Sequence, residues 1–323
     1  MSPRVVYYSP ENHRSKLAEE LAPPELDFGV VDPSLPWEKR KEILSDTETL
    51  ILGGLAMPLE EIKQLPRLRL LQLMSAGYDR IDVNAVREHG VFVSNNSPRI
   101  ARSVAEHALT LMLMTLHRLM PGVDGIREGD WKSRVDAGPM YELGGKVIGI
   151  VGLGNIGRMV ARMVRGFEPA EVIYHDTAAI PAEVERELGV RRVGFDELLE
   201  ESDIVSAHVP LYSHTTGMFD ARAFSRMKPT AIFINTCRGP VQNEPDLIEA
   251  LRNGTIAGAG LDVFEQEPTP TDNPLLHMEN VVATPHQAGS SEERVKRALL
   301  FSYENARRVM SGEEPLDQFE VLT

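Results

Sequence analysis

The sequence predicts an α/β protein whose parallel sheets are covered by helices on both faces. Two observations carry that prediction. Short apolar runs alternate with segments of helical period along nearly the whole chain, and one run passes directly into a glycine turn, an amphipathic helix and a further apolar run. Strands separated by helices pair in parallel, and a parallel sheet is buried on both faces, which is why its strands read as continuous apolar runs.

Taken in order, residues 4–9, 26–31, 49–52, 70–74 and 91–94 read as strands, and residues 11–21, 37–43, 59–65 and 81–88 between them as helices. These elements make a first α/β domain. Residues 103–119, SVAEHALTLMLMTLHRL, follow as a long apolar helix, with Ser103 as the expected N-cap and Glu106 as its capping-box partner. Pro121 is expected to end it. Apolar character on more than one face predicts burial between domains or subunits. Residues 122–143, with Trp131, Met140 and Tyr141, are the least regular part: either an arm that packs on a partner or an ordinary surface crossing. A second α/β domain starts at Leu143, with strands at 147–151, 172–174, 204–209, 231–235, 256–261 and 281–284 and helices from Ile156 and at 195–199, 221–226 and 244–252. The terminal helix, 291–311, is stopped by Gly312 and Pro315.

The glycine turn gives the second domain its chemistry. In residues 146–176, KVIGIVGLGNIGRMVARMVRGFEPAEVIYHD, Gly152 permits the tight turn, Gly154 leaves the backbone bare for a pyrophosphate, and Gly157 lets the helix approach its strand. The phosphates then face the amides of Asn155 and Ile156 at a helix N-terminus. Asp176, at the end of the next strand, can accept hydrogen bonds from both hydroxyls of an adenine ribose. It would repel a 2′-phosphate, and Thr177 brings no basic compensation, so NAD(H) is expected over NADP(H).

Composition removes other classes. The 323 residues carry a formal net charge of -14, without a basic stripe to suit nucleic acid. No run has membrane-spanning length, and the apolar stretch 109–120 is broken by His117 and Arg118. A single cysteine, Cys237, excludes an internal disulfide and a thiolate metal cluster, so no metal is expected and a reducing cytoplasm is.

Three polar groups stand just beyond later strands, where an open parallel sheet places its ligands. Arg238, in FINTCRGPV, can clamp a carboxylate or carbonyl, or can be a plain surface arginine. Glu267 lies in LDVFEQEP and His286 in VATPHQAG. A histidine donates or accepts a proton near neutral pH, and a carboxylate beside it fixes its tautomer and favours its charged form. Together, downstream of a nicotinamide fold that needs an acid/base, the three read as one catalytic set.

With these motifs in place the chain resembles the D-isomer-specific 2-hydroxyacid dehydrogenase family. The resemblance rests on SAGYDRID (75–82), SVAEHAL (103–109), KVIGIVGLGNIG, MKPTAIFINTCRGP, AGLDVFEQEP and NVVATPH, in that order. It implies Arg238 as binder of substrate carboxylate and carbonyl, His286 as proton donor in reduction and base in oxidation, and Glu267 as its partner. It also implies that the Ala76 and Gly77 amides cradle the substrate carboxylate and that Asp262 accepts from the coenzyme carboxamide, and it places Cys237 in the coenzyme-binding set. Cys237 stands where many relatives have Ser or Ala; small-residue packing is its plain role and an oxidisable thiol the alternative. Arg99 and Arg102 are additions to the pattern, one of which could receive a second acidic group on the substrate, or either can simply face solvent.

The resemblance further implies two Rossmann-like, doubly wound domains: a coenzyme domain, 103–289, inserted into a flavodoxin-like substrate domain built from 1–102 and 290–323, with a cleft that closes about a hinge. The long helix and the Trp131 loop would then belong to a homodimer interface. The expected activity is NAD(H)-dependent reduction of a small 2-keto acid such as glyoxylate or hydroxypyruvate. A dehydrogenase of a phosphorylated acid such as 3-phosphoglycerate, or a noncatalytic NAD-sensing interaction protein, are the alternatives.

Overall fold

The computed structural model describes residues 4–131 and 138–316. The chain divides into two compact units, Met1–Ile100 with Ser290–Thr323, and Ala101–Gly289. The first boundary lies two residues before the expected one.

In the first unit, β1 (Val5–Tyr8), α1 (His13–Leu21), β2 (Phe28–Val31), α2 (Trp37–Ile43), β3 (Thr49–Leu52), α3 (Leu59–Ile62), β4 (Leu70–Leu73), α4 (Val83–Glu88) and β5 (Phe92–Ser94) alternate. The sheet has the order β2-β1-β3-β4-β5 with every pair parallel, a flavodoxin-like winding. Period-two alternation sends Val6, Tyr8, Leu50 and Leu52 to one core and Val5, Tyr7 and Ile51 to the other. The second core is completed by the last helix, α12 (Glu292–Met310), through Val295, Ala298, Leu299 and Tyr303. The Tyr303 hydroxyl donates to the Ala18 carbonyl at 2.5 Å. Gly312, at φ +89°, ends this helix, and the Glu313 amide folds back to the Arg308 carbonyl at 2.8 Å.

The second unit takes up the rest of α5 (Ser97–Leu116), then α6 (Leu119–Arg127), β6 (Val147–Val151), α7 (Asn155–Val164), β7 (Glu171–His175), α8 (Ala182–Leu188), β8 (Arg191–Arg192), α9 (Phe195–Glu201), β9 (Ile204–Ala207), α10 (Ala221–Arg226), β10 (Ile232–Asn235), α11 (Glu244–Arg252), β11 (Gly258–Leu261) and β12 (Val281–Ala283). Its seven strands run β12-β11-β10-β9-β6-β7-β8, all parallel. Strand order reverses between β6 and β9, which opens a crevice at the carboxyl ends of those strands, the Rossmann arrangement. Asn243 caps α11 as its sequence position suggests, accepting from the Asp246 amide at 3.0 Å. Among the described residues no helix is long and apolar enough to cross a membrane.

Several expectations need correction. The long helix begins at Ser97, so Ser103 lies inside it and does not cap it. Pro98 costs nothing in a first turn, where its missing N–H has no partner to lose, and the Asn95 side chain accepts from the Ser97 amide at 3.2 Å. That helix ends at Leu116, where Arg118 takes a left-handed conformation, φ 45°. Pro121 then sits in the first turn of α6 (Leu119–Arg127), so residues 122–127 are helical where a loop was expected. Elements α8 and β8 were not anticipated: β8 is two exposed arginines, without apolar alternation to reveal it.

Candidate active site

The glycine turn is built as its sequence requires. Gly152 has φ +94°, and a Cβ there would lie 2.7 Å from the His208 carbonyl oxygen, so neither the turn nor the packing admits a side chain. At Gly157 a Cβ would lie 2.1 Å from the Gly152 carbonyl oxygen, which is how α7 comes so near its strand. Gly154 differs: nothing lies within 4 Å of where its Cβ would be. The protein itself leaves that space bare at the N-terminus of α7, as a pyrophosphate carried on the Asn155 and Ile156 amides needs. Asp176 follows β7, with one carboxylate oxygen accepting from the Leu153 amide at 2.7 Å and the other from the Ala178 amide at 2.8 Å. It therefore ties the turn to the end of the neighbouring strand, and its remaining lone pairs are available to a ribose.

The acid/base candidates gather at the same edge. In register, Asn235 of β10 neighbours Leu261 of β11, and Leu261 neighbours Ala283 of β12, so Arg238, Asp262 and His286 all follow adjacent strand ends. The Arg238 guanidinium turns back on the Cys237 carbonyl at 2.7 Å, and the Asn235 side chain holds the Arg238 carbonyl at 3.0 Å. His286 Nδ1 lies 2.7 Å from Glu267 Oε2, while the Phe264 amide donates to the other Glu267 oxygen at 3.2 Å. An ionised carboxylate only accepts, so Nδ1 carries the hydrogen and Nε2 is left for other work. The imidazole is 44% exposed, open to a ligand.

Asp262 is fully buried. Thr284 Oγ1 donates to it at 2.6 Å, and the Gln287 and Ala288 amides donate at 2.9 Å each. Burial alone would raise its carboxyl, but the bonds from His107, Thr284, Ala288 and Gln287 outweigh it and hold the group below the ordinary carboxylate range. What Asp262 visibly does is hold the loop that carries His286. Cys237 is buried with Sγ 3.1 Å from Asn235 Oδ1, and burial pushes its thiol up to about 11. A thiol kept protonated is a poor nucleophile, so packing is the role its surroundings favour.

In the first unit, Ala76 and Gly77 lie just beyond β4, where Asn95 donates to the Ala76 carbonyl at 2.7 Å. Arg99 is taken up by stacking, its guanidinium 3.5 Å from the Phe301 ring centre. Sequence reasoning missed three groups. Arg192 donates to the Asp176 carbonyl at 2.8 Å, a basic neighbour supplied by β8 and not by Thr177. His208 is buried and His107 half-buried, and the one available signal was a histidine set in an apolar run.

A phosphate-binding turn at a strand-order reversal, with a histidine–carboxylate pair along the same sheet edge, defines a nucleotide-coenzyme oxidoreductase. Residues 109–288 match the family model described as D-isomer specific 2-hydroxyacid dehydrogenase, NAD binding domain. A glyoxylate reductase of Korarchaeum cryptofilum is 40% identical over 98% of this chain and 95% of its own. The solved structure of a glyoxylate reductase from Paecilomyes thermophila superposes with a TM-score of 0.87 at 28% identity over 100% of both chains. An acyclic imino acid reductase solved with NADPH and D-Arg gives 0.82 at 28% identity, covering 98% of this chain and 99% of its own. The chain belongs to the D-isomer-specific 2-hydroxyacid dehydrogenase family, oxidoreductases that act on 2-hydroxy acids.

Proposed function

We propose that the chain reduces a small 2-keto acid, glyoxylate or hydroxypyruvate first among them, to the 2-hydroxy acid with NADH. The observation that carries this reading is the 2.7 Å pair of His286 Nδ1 and Glu267. When bound, the coenzyme supplies the hydride that reaches the keto carbon. Glu267 accepts the hydrogen bond from Nδ1–H, which stays on the ring, so the proton that completes the alcohol leaves from Nε2 of His286. Arg238 binds the substrate carboxylate and carbonyl oxygen, and the Ala76 and Gly77 amides bind the carboxylate. Charge that develops on the carbonyl oxygen thus meets two cationic donors, an interaction stronger in the transition state than in the bound keto acid.

Asp176 favours NADH over NADPH: its carboxylate suits two ribose hydroxyls and repels a 2′-phosphate, while the exposed Arg192 is engaged by a backbone carbonyl. Initial rates with a panel of 2-keto acids, run with each coenzyme, test both statements. The expected result is turnover of glyoxylate or hydroxypyruvate with kcat/KM about tenfold or more higher for NADH. A silent panel with NADH tightly bound overturns the activity; equal efficiencies overturn the preference. The single, buried cysteine suits a reducing cytoplasm.

A homodimer is the further part of this reading. No residue of α6 is buried within the chain, and Leu119, Ile126, Trp131, Met140 and Tyr141 are all exposed, Trp131 at 72%. Large apolar side chains concentrated on one segment mark a protein–protein surface. Sedimentation of the parent chain as a dimer, and of the Leu119→Asp, Ile126→Asp double variant as a monomer, is the expected pair of results. A monomeric parent at micromolar concentration contradicts it.

A further inference from the structure

Helix α5 carries Ser103, His107, Leu111 and Thr115 at four-residue intervals, a single ridge of its surface. The second half of this ridge lies on β11. A Cβ at Gly260 would be 2.8 Å from the Leu111 Cβ, and one at Gly258 would be 3.0 Å from Thr115 Cγ2, so the bare strand sets the helix close. The first half of the ridge meets the loop that carries His286. Ser103 Oγ donates to the Ala288 carbonyl at 2.7 Å, and His107 Nε2 lies 2.9 Å from Thr284 Oγ1 and 3.4 Å from Asp262 Oδ1.

The direction of these bonds is determined by what each group can give. Thr284 spends its hydroxyl hydrogen on the Asp262 carboxylate at 2.6 Å, so towards His107 it can only accept. His107 Nε2 therefore carries the hydrogen and donates. Asp262 in turn holds the Gln287 and Ala288 amides through its side chain and the His286 amide, at 2.8 Å, through its carbonyl. Between these anchors His286 has φ 49°, a left-handed conformation uncommon outside glycine. The loop is thus pinned at Thr284 and at Ala288 by α5 and from beneath by Asp262, with the imidazole at its crest.

We infer that His107 is a positioning residue of the reaction, acting through Thr284 and Asp262 to fix where the His286 imidazole stands. This rests on His286 being the acid/base group. His107 itself is largely buried, its side chain 17% exposed, and the partners it shows are Thr284, on the loop, and Asp262, which holds the loop. Its contribution is the donated hydrogen, because that hydrogen sets the direction in which Thr284 points its own.

The test compares, in the full chain, His107→Leu with His107→Gln, and Thr284→Val with Thr284→Ser, on the keto acid that the parent reduces fastest. A misplaced acid/base group slows the chemical step by about 10- to 100-fold, so kcat falls by that factor in the Leu and Val variants while NADH affinity stays within about twofold. The Gln and Ser variants, which keep the donor and the hydroxyl, recover most of kcat. A Leu variant with parental kcat overturns the inference, and so do Leu and Gln variants that lose activity equally, since that marks volume and not the donated hydrogen. If His107→Leu does not fold, the Thr284 pair decides by the same criteria. His286→Ala in the same series separates the two levels: an active variant removes the acid/base assignment itself, whereas an inactive one beside a fully active His107→Leu removes only the positioning role.

Discussion

Replacing His286 with alanine lowers kcat for keto acid reduction by about 10²- to 10⁴-fold, the usual contribution of a positioned general acid, and leaves NADH affinity nearly unchanged. The two effects separate because the imidazole is held on the loop after β12, whereas the phosphate-binding turn is held on β6 and α7. Glu267→Gln is the milder case: an amide still accepts from Nδ1 but no longer stabilises the imidazolium, so activity falls less than for the alanine variant. Reduction consumes the protonated ring and oxidation the neutral one. Reduction takes up a proton and oxidation releases one, so rising pH disfavours reduction and favours oxidation. Steady-state profiles in both directions check the pair; reduction indifferent to pH, or an alanine variant retaining a tenth of parental kcat, sinks the assignment.

Acidification from about pH 6.5 to about pH 4 costs the Ala101–Gly289 unit on the order of 3 kcal/mol of stability through His208 alone, from the shift of about two and a half units and 1.36 kcal/mol per unit. Burial pushes this imidazole down to about 4 from its ordinary 6.5. Ser206 Oγ lies 2.8 Å from Nε2, and among the described residues Nδ1 has no partner. The folded chain therefore binds fewer protons than the unfolded chain in this window. Stability is fully present above about pH 6.5 and is lost as the pH falls towards about 4, the sign that belongs to a depressed pKa. Urea unfolding at pH 7 and pH 4.5 measures the slope, and His208→Asn flattens it; an unchanged slope in that variant assigns the acid sensitivity elsewhere.

What could be read from sequence was what the backbone dictates locally. Gly152, Gly154 and Gly157, the apolar run before them and the acid at the end of the next strand are short-range signals, and the structure builds them as a turn, a bare approach and a close helix. Arg238 and His286 were visible because each follows directly on a buried strand. What escaped was decided by partners far along the chain. Ser103 in an apolar helix resembles a cap until its acceptor, Ala288, is found 185 residues away. Thr284 and the amides of residues 287 and 288 engage Asp262 across more than twenty residues, and no spacing rule marks that. Arg192 reaches Asp176 from a strand too short to have a pattern. Pro121 misled because a proline stops a helix that precedes it and suits the first turn of a helix that contains it, and sequence alone left that choice open.

The discontinuity of the first unit has a consequence in time. Val5, Tyr7 and Ile51 give its sheet an apolar face that is covered by Val295, Ala298, Leu299 and Tyr303 of α12. A ribosome delivers domains from the N-terminus at a few residues per second, and each folds as its last element emerges. Residues 101–289, with all seven strands of their sheet, are delivered as one continuous stretch ahead of α12. The inserted unit therefore closes its core while the five strands made before it still carry a bare face. In the first unit the earliest residues to leave the ribosome are the last to be buried.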